Sequence, residues 1–372
     1  MRKISSFIIL LLLLLGTACR EVDQAEETRV PLESDPGEVE SVFIVNVENL
    51  RLRDKPGQEG KVLTTLQKDT RLVDLEKVSD FNTEVILRGI PYDEPWVLVQ
   101  TPDSLKGWVF AGGLNFDMTY PSEISLQLMH QRLATVFGKE LANSINRYRL
   151  LFQNAKRSRD FATALRTGTL LRDSLVAVLE KKFDLSNFEL PPNLEWMEEG
   201  FPGYTTQLVA EGTQYYLFQN YKSMQPKVME TEGSEDDEFL ELCFQVYQTD
   251  SIENFYPSWF MQTWDYGGHS LLGRGIHKRI LEEIEEILDK ADLFEPEILQ
   301  IKAKLVQDIL EPDNTYWESQ EKITNELKEI LDASFSILSE EEKDSLAARL
   351  TMFEAPFDHG IKLDVKSETG NF

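Results

Sequence analysis

Between residues 255 and 278 the chain gathers side chains that can bind or react. Phe255, Tyr256, Trp259, Phe260, Trp264 and Tyr266 are interleaved with Asp265, Gly267-Gly268-His269, Gly273-Arg274-Gly275 and His277. A glycine-rich loop running into a helix can aim free backbone N–H groups at an anion, and Arg274 and His277 stand where they could assist. The stretch has no Gly-Lys-Ser/Thr and no preceding strand, so it is not a phosphate loop of the common kind. A packing reading stands beside the site reading: glycines let backbones approach closely, and aromatics fill the corner between helices. A second cluster, residues 200–212, holds Tyr204, Thr205, Thr206 and Glu211. A cleft joining Tyr204 and Glu211 to Trp264, Asp265, His269, Arg274 and His277 would make this region a small-ligand or catalytic unit.

Other chemistry is poorly supported. His269 and His277 are eight residues apart, not the three or four that put two metal ligands on one helical face, so no metal or other cofactor is expected. Ser270 lacks a nucleophile elbow. The formal net charge of -27 weighs against nucleic acid, which requires a basic footprint. Of the two cysteines, Cys19 and Cys243, the second lies in Phe239-Leu240-Glu241-Leu242-Cys243-Phe244. It reads as a small buried hydrophobe. With Cys19 modified, as argued next, no intramolecular disulfide is expected and packing must carry stability.

Arg2 and Lys3 precede an unbroken apolar run from Ile8 to Leu15, which is too short for a comfortable membrane span. Small residues Gly16-Thr17-Ala18 then lead into Cys19. This resembles a bacterial lipoprotein signal, with Gly16 where the strict pattern prefers leucine. The resemblance implies cleavage after residue 18 and acylation of Cys19. Residues 19–41 form an acidic tether with Pro31, Pro36 and Gly37 and too little apolar content to bury a core. Within it Gln24-Ala25-Glu26-Glu27 is similar to the acidic motif behind the lipidated cysteine of surface-exported lipoproteins of the Bacteroidetes type. The expected location is thus the envelope of a diderm bacterium, lipid-anchored in the outer membrane, on the periplasmic face or the cell surface.

Residues 42–117 alternate short apolar runs with turn residues, as in a small all-β module. In Leu50-Arg51-Leu52-Arg53 the leucines share one face and the arginines the other. Pro56-Gly57 and Pro102-Asp103 turn the chain, and Thr83 to Arg88 suggests an extra β arm. Leu50 to Arg53 with Pro56, Lys68-Asp69-Thr70, Trp96 to Val99, and Gly107-Trp108-Val109 with Leu114 fall in the order of the bacterial SH3-like domain, which this segment resembles. Asp69 replaces the family's usual glycine and Arg51 its usual asparagine. The resemblance implies a small curled barrel that binds cell-wall peptides or proteins, and no catalysis. Trp96 and Trp108 either line its groove, each with a flat aromatic face, or fill its core.

After Tyr120-Pro121-Ser122 the apolar period becomes helical, as in Phe161, Leu165, Leu171, Leu175 and Leu179. The pattern predicts roughly eight to ten helices over residues 118–363, with a helix-like stretch near 208–221. Capping boxes are expected at Asp250-x-x-Glu253 and Ser339-x-x-Glu342, and residues 364–372 read as a tail. The architecture expected is multidomain: a signal peptide (1–18), the tether, a small all-β SH3-like barrel and a larger all-α domain. The leading reading is non-enzymatic, with the barrel contacting peptidoglycan or an envelope protein and the helices as scaffold. The alternative gives the helical domain a ligand or a reaction around Trp264 to His277, with the barrel for targeting.

Overall fold

In the computed structural model, residues 41–87, 90–183, 185, 192–209, 212–247, 256–262, 268–312 and 314–363 are described. Residues 1–40, holding the signal, Cys19 and all but the last tether residue, lie outside them, as do Glu211, Trp264, Asp265, the residues 250–253 expected to cap a helix and the tail 364–372.

Seven strands open the described chain: β1 (Val42–Val45), β2 (Leu50–Arg53), β3 (Val62–Leu66), β4 (Arg71–Leu87), β5 (Ile90–Gln100), β6 (Lys106–Phe110) and β7 (Leu114–Phe116). They form one sheet in the order β3-β2-β6-β5-β4-β1-β7, every pairing antiparallel. Period-two alternation sends Phe43, Val45, Leu50, Leu52, Val97, Val99 and Val109 into one core. The anticipated arm is real. Thr83 to Leu87 pairs with Ile90 to Glu94 as the far end of the long β4–β5 hairpin. Asp69 sits at φ 66, the left-handed turn conformation that glycine adopts freely and aspartate tolerates.

Arg53 departs from the simple alternation. The β2–β3 register slips between Leu52 and Arg53, and the bulge turns Arg53 inward. Its side chain is buried, where Nη1 donates to the Gly60 carbonyl at 2.5 Å.

Ten helices follow among the described residues. Ser122 caps α1 (Glu123–Phe137) by accepting from the Ser125 amide, where the Tyr-Pro-Ser break predicts a start. Then come α2 (Lys139–Gln153), α3 (Ser158–Lys182) and the short α4 (Met197–Gly200). The stretch read as helical near 208–221 is instead a hairpin of β8 (Tyr204–Val209) and β9 (Gln214–Gln219). Its period is two: Tyr215 and Leu217 are buried, while Tyr216 and Phe218 are only half-buried. Adjacent aromatics favour the pleated surface, and Gly212 at φ +80 serves the turn.

The remaining helices are α5 (Tyr221–Val228), α6 (Glu235–Val246), α7 (Ile276–Leu288), α8 (Glu295–Leu310), α9 (Gln320–Ala333) and α10 (Glu340–Glu354). On α7, Ile280, Leu281, Ile284 and Ile287 face the core and Glu282 and Glu286 face water. The capping box at Ser339 and Glu342 is present on α10. A small sheet of β10 (Phe260–Gln262), β11 (Gly268–Ser270), β12 (Thr315–Tyr316) and β13 (Lys362–Leu363) ties the last third together. The helical region therefore carries six short strands of its own.

Sheet and helices meet at Arg132 of α1. Its Nε and Nη2 donate to the two oxygens of Glu94 on β5, each at 2.8 Å. Nη1 donates to the Leu114 carbonyl at 2.8 Å and Nη2 to that of Ala111 at 3.0 Å. The guanidinium also lies over the rings of Phe116, Tyr92 and Trp196, at 4.6, 5.2 and 5.5 Å. A second link runs from the Ser122 hydroxyl to Asp74 of β4, at 2.6 Å.

Candidate binding site

The sheet carries a groove of about 620 Å³ with Trp96 and Phe110 at its apolar side. Strand β5 places Trp96 there, and the arm holds it: the indole Nε1 donates to the Thr83 hydroxyl at 2.8 Å. Trp96 is 4% exposed, so it is at once core and wall. Val85 and Leu87, from the arm, extend the apolar side. The rim is charged with both signs, by Arg51 of β2 on one hand and Glu48 and Glu59 from the flanking turns on the other.

Arg53 gives the groove its polar demand. The guanidinium lies 5.7 Å from the Trp96 ring centroid, within cation–π range. Its Nε is buried and finds no acceptor among the described residues. A buried donor without a partner is costly, on the order of 1–3 kcal/mol. The arrangement therefore suits an extended ligand with an apolar body and acceptor oxygens. Trp108 does not line this groove; it is half-buried on β6 and pairs in register with Leu98 and Arg53.

The glycine-rich corner of the helical region is built differently. Gly273 and Gly275 take φ +101 and +76, conformations that side-chain-bearing residues avoid. They turn their amides toward Glu326 of α9. Its Oε2 accepts from the Gly273 amide at 2.5 Å and from the Gly275 amide at 2.9 Å, and its Oε1 accepts from the Lys278 amide at 3.2 Å. The loop does hold an anion at a helix start, and the anion is the chain's own carboxylate.

Beneath the loop, His277 is fully buried. Its Nε2 lies 2.9 Å from Asp308 Oδ2 and its Nδ1 4.0 Å from Glu326 Oε1. Ser270 donates to the same Asp308 oxygen at 2.6 Å. Arg274 pairs with Glu318 at 2.8 Å. His269 lies on β11, edge-on to Trp317 at 5.2 Å.

Tyr204 belongs to a separate sheet, the β8–β9 hairpin, and stacks on Phe201 at 4.3 Å. Burial pushes its phenol up to about 12. Cys243 is free and buried, and burial pushes its thiol well up, which suits a packing residue.

Arg51, Glu59, Val85 and Leu87 escape sequence reasoning because the bulge and the arm bring them together only in space. Glu326 did leave a trace. It falls on the apolar stripe of α9 formed by Ile323, Leu327 and Ile330, where a lone carboxylate needs buried donors.

The family model for the bacterial SH3 domain matches residues 48–115, which span the strands that form the groove. No curated protein and no solved structure matches the chain.

Proposed function

We propose that this is a lipid-anchored interaction protein of the bacterial cell envelope. In this reading its SH3-like module binds peptidoglycan, or else an envelope protein, in the Trp96 groove, and the helical region serves as scaffold. The observation that carries the reading is the groove itself, walled by Trp96 with the Arg53 guanidinium 5.7 Å from its ring, on the matched module. Peptidoglycan stems and extended peptides both supply acceptor oxygens, apolar methyl groups and charges of both signs, which the rim of Arg51, Glu48 and Glu59 complements.

The test uses the full chain on purified cell-wall sacculi. Retention is expected, and Arg51→Glu, at an exposed rim position, should lower it by about tenfold through lost and reversed charge. No retention above background would remove peptidoglycan as the ligand and leave a protein partner.

The anchor is tested separately. Several acyl chains on Cys19 would hold the chain to a membrane, at about 0.8 kcal/mol per buried methylene. Cys19→Ala is expected to move the protein from the membrane fraction to the soluble one, and unchanged membrane association would refute the anchor.

A further inference from the structure

A second cleft opens in the helical region, with none of its lining shared with the sheet groove. It encloses about 380 Å³, within the range of small-molecule sites. Helix α3 contributes Leu165, Thr169 and Arg172, α8 contributes Lys304, and Tyr221 and Tyr247 come from α5 and the end of α6.

Two features of the wall point to an occupant. The first is charge. Arg166, also on the wall, is satisfied by a bidentate pair with Glu297 at 2.7 and 2.9 Å. Arg172 pairs with Asp173, its neighbour in sequence, whose side chain is 69% exposed, and its guanidinium lies 6.0 Å from the Tyr216 ring centroid. Lys304 has no ion pair among the described residues, and burial followed by the nearby Arg172 charge holds its ammonium below the usual lysine value. The cleft wall thus carries three cations and one carboxylate, Glu297, which is engaged by Arg166, on a chain whose net charge is -27.

The second feature is shape. Tyr221 and Tyr247 are stacked, with centroids 5.3 Å apart and planes 25° apart. They stand with Phe239 and Leu165 as the apolar side. Polar groups sit between the two sides in a fixed chain. Tyr221 donates to Gln219 at 3.0 Å, and Gln219 donates to Thr169 at 3.0 Å. A flat apolar body against the tyrosines would set an attached oxyanion toward Arg172 and Lys304.

We propose that this cleft binds a small organic oxyanion, a phosphate or carboxylate carried on a flat apolar body. Charge-assisted hydrogen bonds to the two cations would hold the anionic end. The site is independent of what the sheet groove binds.

The experiment is calorimetric titration of the full chain with phenyl phosphate, benzoate and inorganic phosphate at constant ionic strength, up to about 10 mM. Saturable binding of phenyl phosphate or benzoate is expected, at least about tenfold tighter than inorganic phosphate, and the better of the two identifies the anionic group. Lys304→Met and Arg172→Gln should each weaken it by about tenfold or more. Much of the Lys304 residue is exposed, although its ammonium is partly desolvated in the cleft, so its variant should fold as the parent does, and it decides the matter alone if Arg172→Gln unfolds. No saturation by either aromatic anion, binding no tighter than inorganic phosphate, or affinity unchanged by Lys304→Met would overturn the proposal.

Discussion

Arg132→Met is expected to cost about 3–5 kcal/mol of stability, the usual penalty for removing one partner of a buried ion pair. Arg132 and Glu94 have side chains only 1% and 4% exposed. Methionine replaces much of the arginine's stem but donates nothing. Glu94 would then keep a charge in a low-dielectric interior, and the carbonyls of Leu114 and Ala111 would each lose a donor. The three rings around the guanidinium would lose their cation as well.

The same substitution should also change the form of unfolding. Arg132 is the point where α1 is fastened to β5 and to the turn before β7. Without it, the sheet and the helices are held together mainly by apolar contact. Urea titration followed by tryptophan fluorescence, which reports on Trp96 and Trp108 among others, and by helical circular dichroism should give one midpoint for the parent and two for the variant. Adding Glu94→Leu to Arg132→Met should recover a large part of the loss, because a buried pair replaced by apolar groups of similar size is often neutral. A parent-like midpoint for Arg132→Met alone would mean that water reaches Glu94.

The strands of the sheet were legible because their signals are local. Alternating leucines, turn residues and a Trp-x-x-Val run each act over a few residues, and pairing preserves that order. The helical region was legible for the same reason where its period was clean, as on α7. The reading failed at the β8–β9 hairpin, where Leu208, Tyr215, Tyr216, Leu217 and Phe218 satisfy a loose helical count as readily as a strand count. The bulge at Arg53 leaves no mark in the sequence. An arginine alternating with leucines along a strand reads as exposed, and only the slipped register turns Arg53 under Trp96.

The glycine-rich corner shows a different limit. The local inference was sound, since glycines at a helix start do gather an anion. What the sequence did not show is that α9, some fifty residues on, supplies one. A motif of this kind specifies a need, and long-range packing decides whether a ligand or a side chain meets it.

Glu326→Ala is expected to destabilise the protein by about 1–3 kcal/mol, because it leaves the part-buried amide hydrogen bonds of Gly273, Gly275 and Lys278 without their acceptor. Glu326→Gln should cost less, about 1–2 kcal/mol. Its remaining carbonyl oxygen can still serve the two glycine amides, while its NH₂ would oppose the Lys278 amide. The alanine variant also empties the cradle without disturbing the φ values that shape it. Added formate or acetate should therefore raise the melting temperature of Glu326→Ala more than that of the parent, by linkage of anion binding to folding. The readout is the difference between the two proteins in matched concentrations of chloride and carboxylate. If alanine costs under about 0.5 kcal/mol, water must already substitute for the carboxylate. If carboxylates raise both proteins equally, the cradle does not select an anion, and Glu326 acts by packing alone.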